Sequence, residues 1–585
     1  MEETQAKSYW RWSKEDFFPE QSFENWGTYK SALSQTCFRF KDRLLDRSTE
    51  SNELVVLRKQ SENEMKRCLT WWDLIWLSFG AVVGTGIFVL TGEEAHNHAG
   101  PAIVLSYAVS GLSAMLSVFC YTEFAVEIPV AGGSFSYLRV ELGDFVAFIA
   151  AANILLESIV GAAGLGRSFT SYLATLCNLD PDFLRFHVGF LGKGFNLLDP
   201  IASTALIVAS AVAVSGTKYT SLLNWVTSLF SAGVIVFVII AGVVAGDSAN
   251  LTPFFPMGAE GVFQAAAVVY WAYTGFDMIA TMAEETKKPS RDIPLGLVGS
   301  MSMITVVYCL MALSLSMMQK YTDLDVNAAY SVAFPKIGMK WAKYLVSIGA
   351  LKGMVTGLLV GALGQARYTT QIARAHMIPP WFARVHPKTG TPINATLLVT
   401  IIAACVSLFS SLDVLASVSS LSTLFIFMLM AVALLVRRYY AKDITPKGDF
   451  IKFLVYLLIV VGSSIGITAL WNSGYRGWIG YSISIVFWFV GTLGITLLPK
   501  QRKPKIWGVP LVPLLPCLSI GTNLFLIGSL SSEAFVRFGI CTVVMLVYYF
   551  LFGLHATYDV AHPYQHESEA EDGKGKSVIE GLSKQ

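Results

Sequence analysis

Charge is what this sequence has least of. Of its 585 residues only 14% are charged, 54% are apolar, and the mean hydropathy is +0.54. A soluble chain of this length needs far more charge to cover its surface, so a water-soluble fold is excluded. A formal net charge of +2 leaves no basic field for a nucleic acid. The eight cysteines stand singly, most of them inside apolar runs, with no CxxC pair, so neither a disulfide frame nor a zinc site is expected. No Walker motif, HExxH or nucleophile elbow stands in a suitable setting. ATP-driven pumping by this chain is therefore excluded, and no metal, cofactor or catalytic residue is expected. The first 70 residues are polar and lack a signal-peptide pattern, so membrane insertion is expected to begin at an internal helix.

What is present is a succession of apolar runs. A spanning helix needs about 20 apolar residues, and fourteen candidate spans lie between 72 and 554, the fourth (198–214) and ninth (393–410) being short. The expected fold is an all-α membrane protein of about 14 transmembrane helices. Basic loops such as "EETKKPSRDIP", "RRYYAKDITPKGD" and "PKQRKPKIWG" fall on the side of the basic N-terminal arm. The positive-inside rule makes that side cytosolic, and an even number of helices puts both termini there. In the arm, "YKSALSQTCFRFKDRLLDR" has apolar residues at helical spacing among basic ones. It reads either as a helix on the inner membrane surface or as an amphipathic helix packed on the protein. The tail after Tyr558 is polar and expected to be disordered.

Two spans carry interruptions. The first contains "GAVVGTGIFVLTG" and the sixth "YWAYTGFDMIAT", five helices later. Interrupted helices at matching places in two halves point to a transporter's binding site, and an odd number of helices per half forces the halves into opposite topology. The domain division follows. Residues 1–70 are a cytosolic arm, 71–246 a first repeat (spans 1–5), 247–440 a second (spans 6–10), 441–558 four peripheral spans, and 559–585 a cytosolic tail. At Gly84, Thr85 and Gly86 glycine weakens the helix. An opened helix there exposes N–H groups and a dipole end that favour a carboxylate; close helix packing is the alternative. Opening near Thr274 and Gly275 frees carbonyls that can receive an ammonium group. Trp271 is large enough to close a pocket from outside, or is a packing or interfacial aromatic.

Ionisable residues at membrane depth are expensive and mark functional paths. Asp277, in the sixth span, and Glu157, mid-way along the third, are such acids. Glu157 has no Lys or Arg within four residues, so it faces a cationic side chain, carries a proton, or is a hydrogen-bonded structural acid. Glu123, nearer the inner end of span 2, is a coupling candidate whose position also suits a structural acid, and Glu127 reads as interfacial. Gly349, Gly353, Gly357 and Gly361 recur every four residues and give span 8 a glycine face. That face serves tight packing, the wall of a cavity, or both. Lys352, on another face, can snorkel or pair with an acid. Asn250-Leu251-Thr252 is a glycosylation sequon in an expected outside loop.

Together "GAVVGTGIFVLTG", "CYTEFAVEIPVAGGSFSYLRVELG", "YWAYTGFDMIATMAEETKKPSRDIPLGLVGS" and "GALGQARYTTQIARAHMIPPWFARVHPKTGTPINAT" resemble the cationic amino acid transporters of the amino acid–polyamine–organocation superfamily. The fourteen spans and "PKIWGVPLVPLLPCLSIGTNLFLIGS" suit that branch, and "RRYYAKD" and "FGLHATYDVAH" resemble its plant members. The resemblance runs from about Leu69 to about His562. It implies a 5+5 inverted-repeat core with broken helices 1 and 6, plus four peripheral helices. It also implies a substrate α-carboxylate on the backbone of Gly84, Thr85 and Gly86, and an α-ammonium on opened backbone around Ala272 and Tyr273. Trp271 matches the outer aromatic gate, where phenylalanine is more usual. Thr85, Glu157 and Asp277 match positions near the bound side chain or the coupling path. Two departures stand out. The family's usual "AYIGFD" reads "AYTGFD", adding a hydroxyl at Thr274. Ser231 stands where some prokaryotic relatives carry a lysine in span 5, which puts the proton-coupling route in doubt.

The sequence thus reads as a secondary carrier of amino acids, basic ones (Arg, Lys) first, proton-linked and driven by membrane potential. A carrier for neutral or acidic amino acids such as glutamine and a non-transporting amino acid sensor are the rivals. Two short polar ends offer the sensor no signalling domain, and a membrane enzyme lacks its motif. The expected partners are a small amino acid, protons and the lipid bilayer. The plasma membrane is favoured over the vacuolar membrane.

Overall fold

A computed structural model describes residues 9, 12–45, 69–83, 86–128, 133–189, 192, 195–215, 217–280, 286–387, 389–442 and 444–562. Gly84 and Thr85 lie outside the described residues, as does the tail from 563. Helices dominate. The arm holds α1 (Trp26–Ser34) and α2 (Thr36–Leu45). They are followed by α3 (Trp71–Val82), α4 (Gly86–Glu94), α5 (Ile103–Glu127), α6 (Gly133–Leu142), α7 (Asp144–Leu176), α8 (Pro200–Ser215) and α9 (Thr217–Ala245). Next come α10 (Gly258–Val269), α11 (Phe276–Ala280), α12 (Pro289–Met318), α13 (Ala329–Lys336), α14 (Ala342–Arg374), α15 (Ile393–Phe409) and α16 (Leu412–Tyr439). The chain closes with α17 (Lys447–Asn472), α18 (Trp478–Leu497), α19 (Leu514–Ser529), α20 (Ser532–Tyr548) and α21 (Leu554–Ala561). The described strands form one small hairpin, β1 (Phe186–His187) against β2 (Leu197–Leu198), antiparallel with Phe186 opposite Leu198. Among the described residues eight helical runs are long and apolar enough to cross a membrane, and four shorter apolar helices accompany them.

The two interrupted spans are divided where the glycines stand. Helix α3 opens with its start closed by Asp73, whose carboxylate accepts from the Thr70 N–H at 2.9 Å. It stops at Val83, which is extended and donates the last helical bond to Phe79 O at 2.8 Å. Helix α4 resumes at Gly86. In the other span α10 tightens into a 3-10 turn at Tyr270–Tyr273, Thr274 is extended, and α11 starts at Phe276. Gly275 takes φ +107°, a value that side-chain-bearing residues resist.

The breaks touch each other. A Cβ on Gly86 would stand 2.3 Å from both Cα and Cβ of Ala272, so only glycine permits this approach. The Tyr308 hydroxyl of α12 lies 3.0 Å from Val82 O and 3.0 Å from Ala272 O, holding one carbonyl from each break. Carbonyls freed by a helix end in an apolar interior need such a donor. Around this point Tyr107, Tyr273, Tyr308 and Tyr330 are fully buried, at the heart of the main core.

One end of the bundle is tied by buried ions. Arg438 of α16 donates to Glu123 of α5 at 2.7 Å, and Arg437 donates to Glu141 of α6 at 2.5 Å. Glu123 also accepts the Val509 N–H at 2.8 Å, and Glu127 accepts from Lys505 N and Ile506 N, both at 2.9 Å. The loop before α19 is thereby fastened to α5. The described part of the arm packs on the same end. Arg39 pairs with Asp559 at 3.1 Å and lies over the Tyr558 ring, Arg43 pairs with Asp144, and Glu20 meets His376 at 2.5 Å. Phe17 stacks on Trp381 with ring centroids 5.0 Å apart. Of the two expectations for α1 and α2, packing against the protein is the arrangement seen.

Candidate substrate site

A cavity of about 140 Å³ opens beside the break at Thr274 and Gly275. Six segments of the chain wall it. From α7 come Glu157, Ser158 and Gly161; from the break Trp271, Thr274, Gly275 and Asp277; from α14 Gly357, Gly361, Gln365 and Tyr368; from α16 Thr423 and Phe427. Gly80 of α3 and Ser134 of α6 also line it. Among the described lining residues two are ionisable, Glu157 and Asp277, and both are acids.

The acids are held differently. Asp277 Oδ2 accepts from the Tyr368 hydroxyl at 3.3 Å. Among the described residues Glu157 forms no hydrogen bond or ion pair. Thr274 caps the break: its N–H and its hydroxyl both donate to Trp271 O, at 3.1 and 2.8 Å. The departure from the family's isoleucine thus satisfies a carbonyl that the broken helix releases. Trp271 is 6% exposed, its ring lying against Gly161 and Gly164 of α7.

The expected site residues therefore divide. Glu157, Trp271, Thr274 and Asp277 come together on one cavity. Gly86 and Ala272 form the contact behind it, and Tyr273 is buried with its hydroxyl on Tyr107 O at 2.7 Å; none of the three lines the cavity. The Ala272 carbonyl already receives Tyr308. Ser231 is buried in α9, away from the cavity lining. Its neighbour Phe230 lies under the Lys352 ammonium, 4.8 Å from the ring centroid, a cation–π contact. Glu123 sits in its ion pair with Arg438, also away from the cavity. Asn250 stands in a 3-10 turn with its amide donating to Met317 O at 2.8 Å. The glycine face of α14 does both things expected of it. Gly349 packs on Val234, where a Cβ would stand 2.8 Å from a methyl, and Gly357 and Gly361 wall the cavity.

Tyr368, Gln365 and Ser134, which line the cavity, and Tyr308, which bridges the two breaks, are residues that pattern reading passed over. A tyrosine or glutamine inside an apolar run carries no local mark of its role. Gln365 could have been weighed as a polar group at membrane depth, and here its amide donates to Ser158 O at 2.9 Å, joining α14 to α7. Among the described residues no group of three or more His, Cys, Asp and Glu side chains is placed to hold a metal ion.

Residues 69–495 match the family described as amino acid permease, and residues 507–557 match the C-terminus of that permease. A vacuolar cationic amino acid transporter 8 of Arabidopsis thaliana is 68% identical over 568 residues, covering 97% of this chain and 96% of the relative. Cationic amino acid transporter 5 of the same plant is also 68% identical, over 96% of this chain and 99% of its own length. A methylthioribose transporter of Bacillus subtilis is 33% identical over 77% of this chain and 97% of its own. The long apolar helices and these matches make the chain a multi-pass membrane protein that transports amino acids and is not an enzyme. It belongs to the plant cationic amino acid transporters of the amino acid–polyamine–organocation superfamily.

Proposed function

We propose that the chain carries basic amino acids, arginine and lysine, by alternating access around the cavity between α7, α14, α16 and the break at Thr274. The observation that carries this reading is the charge of the wall: Glu157 and Asp277 line it, and no described Lys, Arg or His does. A carboxylate kept at membrane depth needs a counter-charge, and a guanidinium or ammonium side chain supplies one. In this reading Glu157 binds the cationic end of the substrate. The α-carboxylate lies toward the break between α3 and α4, and the α-ammonium toward the break at Thr274 and Gly275. Trp271 closes the pocket. Asp277, tied to Tyr368, is the coupling acid of a proton-linked cycle.

The fourteen-span, inverted-repeat arrangement belongs to the same proposal. Its support is the pairing of two broken spans, five helices apart, that meet at Gly86 and Ala272. Both termini are then cytosolic. The plasma membrane is the proposed location. The vacuolar membrane is the second reading, favoured by the name of one 68%-identical relative, and a fluorescent fusion in plant cells separates the two. The test of function is labelled-arginine uptake into proteoliposomes with pH gradient and voltage set independently, against a panel of unlabelled competitors. Stronger competition by lysine than by glutamine or glutamate is expected. Equal competition by glutamine overturns the basic preference.

A further inference from the structure

Trp271 differs from the phenylalanine usual at its position in one chemical respect, an indole N–H. In the structure the ring lies in a slot cut by two glycines of α7. A Cβ at Gly161 would stand 3.3 Å from Trp271 Nε1, and one at Gly164 would stand 2.9 Å from Cη2. Across the slot is α16, which presents Leu412 near Gly164 and Ser419 near Gly161. Ser419 is fully buried and its hydroxyl has no hydrogen-bond partner among the described residues. On the same helix Ser420 donates to Val268 O at 2.7 Å and Thr423 to Ser419 O at 3.0 Å, while Ser422 Oγ, like Ser419 Oγ, is buried with no partner among the described residues. A buried hydroxyl left unbonded is uncommon and asks for an explanation. Nε1 of Trp271 and Oγ of Ser419 both lie within 4 Å of one point, the place a Cβ would take at Gly161. Ser419 also stands one helical turn from Thr423, which lines the cavity.

We propose that Ser419 is the catch for Trp271: when a substrate fills the cavity, the indole turns within the Gly161–Gly164 slot and its N–H donates to Ser419 Oγ. The bond unmade in this structure becomes a bond of the occupied one, so the catch stabilises the occupied pocket relative to the empty one. A side chain at 161 would crowd both groups, its Cβ standing 3.3 Å from Trp271 Nε1 and 3.8 Å from Ser419 Oγ. Ser419 is a positioning residue that acts through Trp271. The inference rests on the reading of the cavity as the substrate site.

The test is a double-mutant cycle on the full chain in proteoliposomes, using Trp271→Phe, Ser419→Ala and the pair, with arginine as probe. A single hydrogen bond of ordinary net worth corresponds to roughly a fivefold effect. Each single variant is expected to raise the arginine KM about fivefold, and the double variant to be no worse than the worse single one. Ser419→Ala is expected to leave the melting temperature without arginine unchanged or raised, while reducing the rise that arginine produces. Gly161→Ala should mimic Ser419→Ala in KM; if it does not fold, the cycle decides alone. Additive effects, or a silent Ser419→Ala beside an impaired Trp271→Phe, overturn the catch while leaving the site intact. A wild-type protein that takes up no amino acid overturns both.

Discussion

A methyl group at position 86 has nowhere to go. It would meet the backbone and side chain of Ala272 at 2.3 Å, and neither can move without shifting the turn that carries Trp271. Gly86→Ala is expected to lower arginine uptake more than tenfold, and Gly86→Leu to abolish it, with protein still reaching the membrane. Uptake normalised to surface protein checks this, and normal uptake by Gly86→Leu would remove the break contact from the mechanism. Glu157 gives a sharper prediction, because Glu157→Gln keeps the shape and removes the charge. Loss of a buried charged contact costs about 1.5–3 kcal/mol, or roughly tenfold and more in affinity. Arginine uptake should fall by that factor while glutamine uptake changes little. If both fall together and the pH dependence flattens, Glu157 carries the coupling proton instead. These residues were legible in the sequence for one reason: a charge or a glycine pair inside an apolar run is costly and stands out. Tyr308 was not, because a tyrosine among apolar residues looks like packing until its hydroxyl is seen between Val82 O and Ala272 O.

Among elements, the informative contrast is between breaks and ties. Both breaks could be read locally, since glycine and the residues around it determine where a helix opens. The ties could not. Glu123 and Arg438 are 315 positions apart, and nothing in either neighbourhood names the other. Likewise the arm's helical spacing announced an amphipathic helix, but Arg39 meeting Asp559 depends on where the last helix ends. The tie at Glu123 makes a prediction that separates structure from coupling. Its carboxylate receives Arg438 and the Val509 N–H, and breaking a buried pair from one side costs about 3–5 kcal/mol. Glu123→Gln should therefore lower the thermal midpoint in detergent, and adding Arg438→Gln should restore part of it. Arginine KM and its pH dependence, measured on the surviving folded protein, should stay as in the wild type. A stable Glu123→Gln with a flattened pH profile would return Glu123 to the coupling path.

For the whole molecule, apolar run lengths made the membrane class legible, because a bilayer core fixes how many apolar residues a helix must supply. They did not show which helices would share a wall. The side chains of α7, α14 and α16 that enclose the cavity belong to three runs that look alike in hydropathy. What the wall implies for transport can be tested by voltage. If the two acids select a cationic substrate, each arginine carried inward brings one positive charge. A potential of 100 mV, inside negative, then contributes about 2.3 kcal/mol per charge, which sustains roughly 50-fold accumulation. With no pH gradient and a potassium diffusion potential of that size, arginine should concentrate in proteoliposomes to about that ratio if it moves alone. A proton moving with it adds a second charge, so the ratio should rise further, and a neutral amino acid should become voltage-driven as well. Glutamine is the diagnostic substrate: voltage-driven glutamine uptake requires a coupled cation, and voltage-indifferent glutamine beside voltage-driven arginine requires none. Repeating the pair at two external pH values identifies that cation as the proton if acid raises both. Arginine uptake that ignores voltage at every pH would mean that net positive charge does not cross with the substrate, and the acidic wall would then need a different explanation.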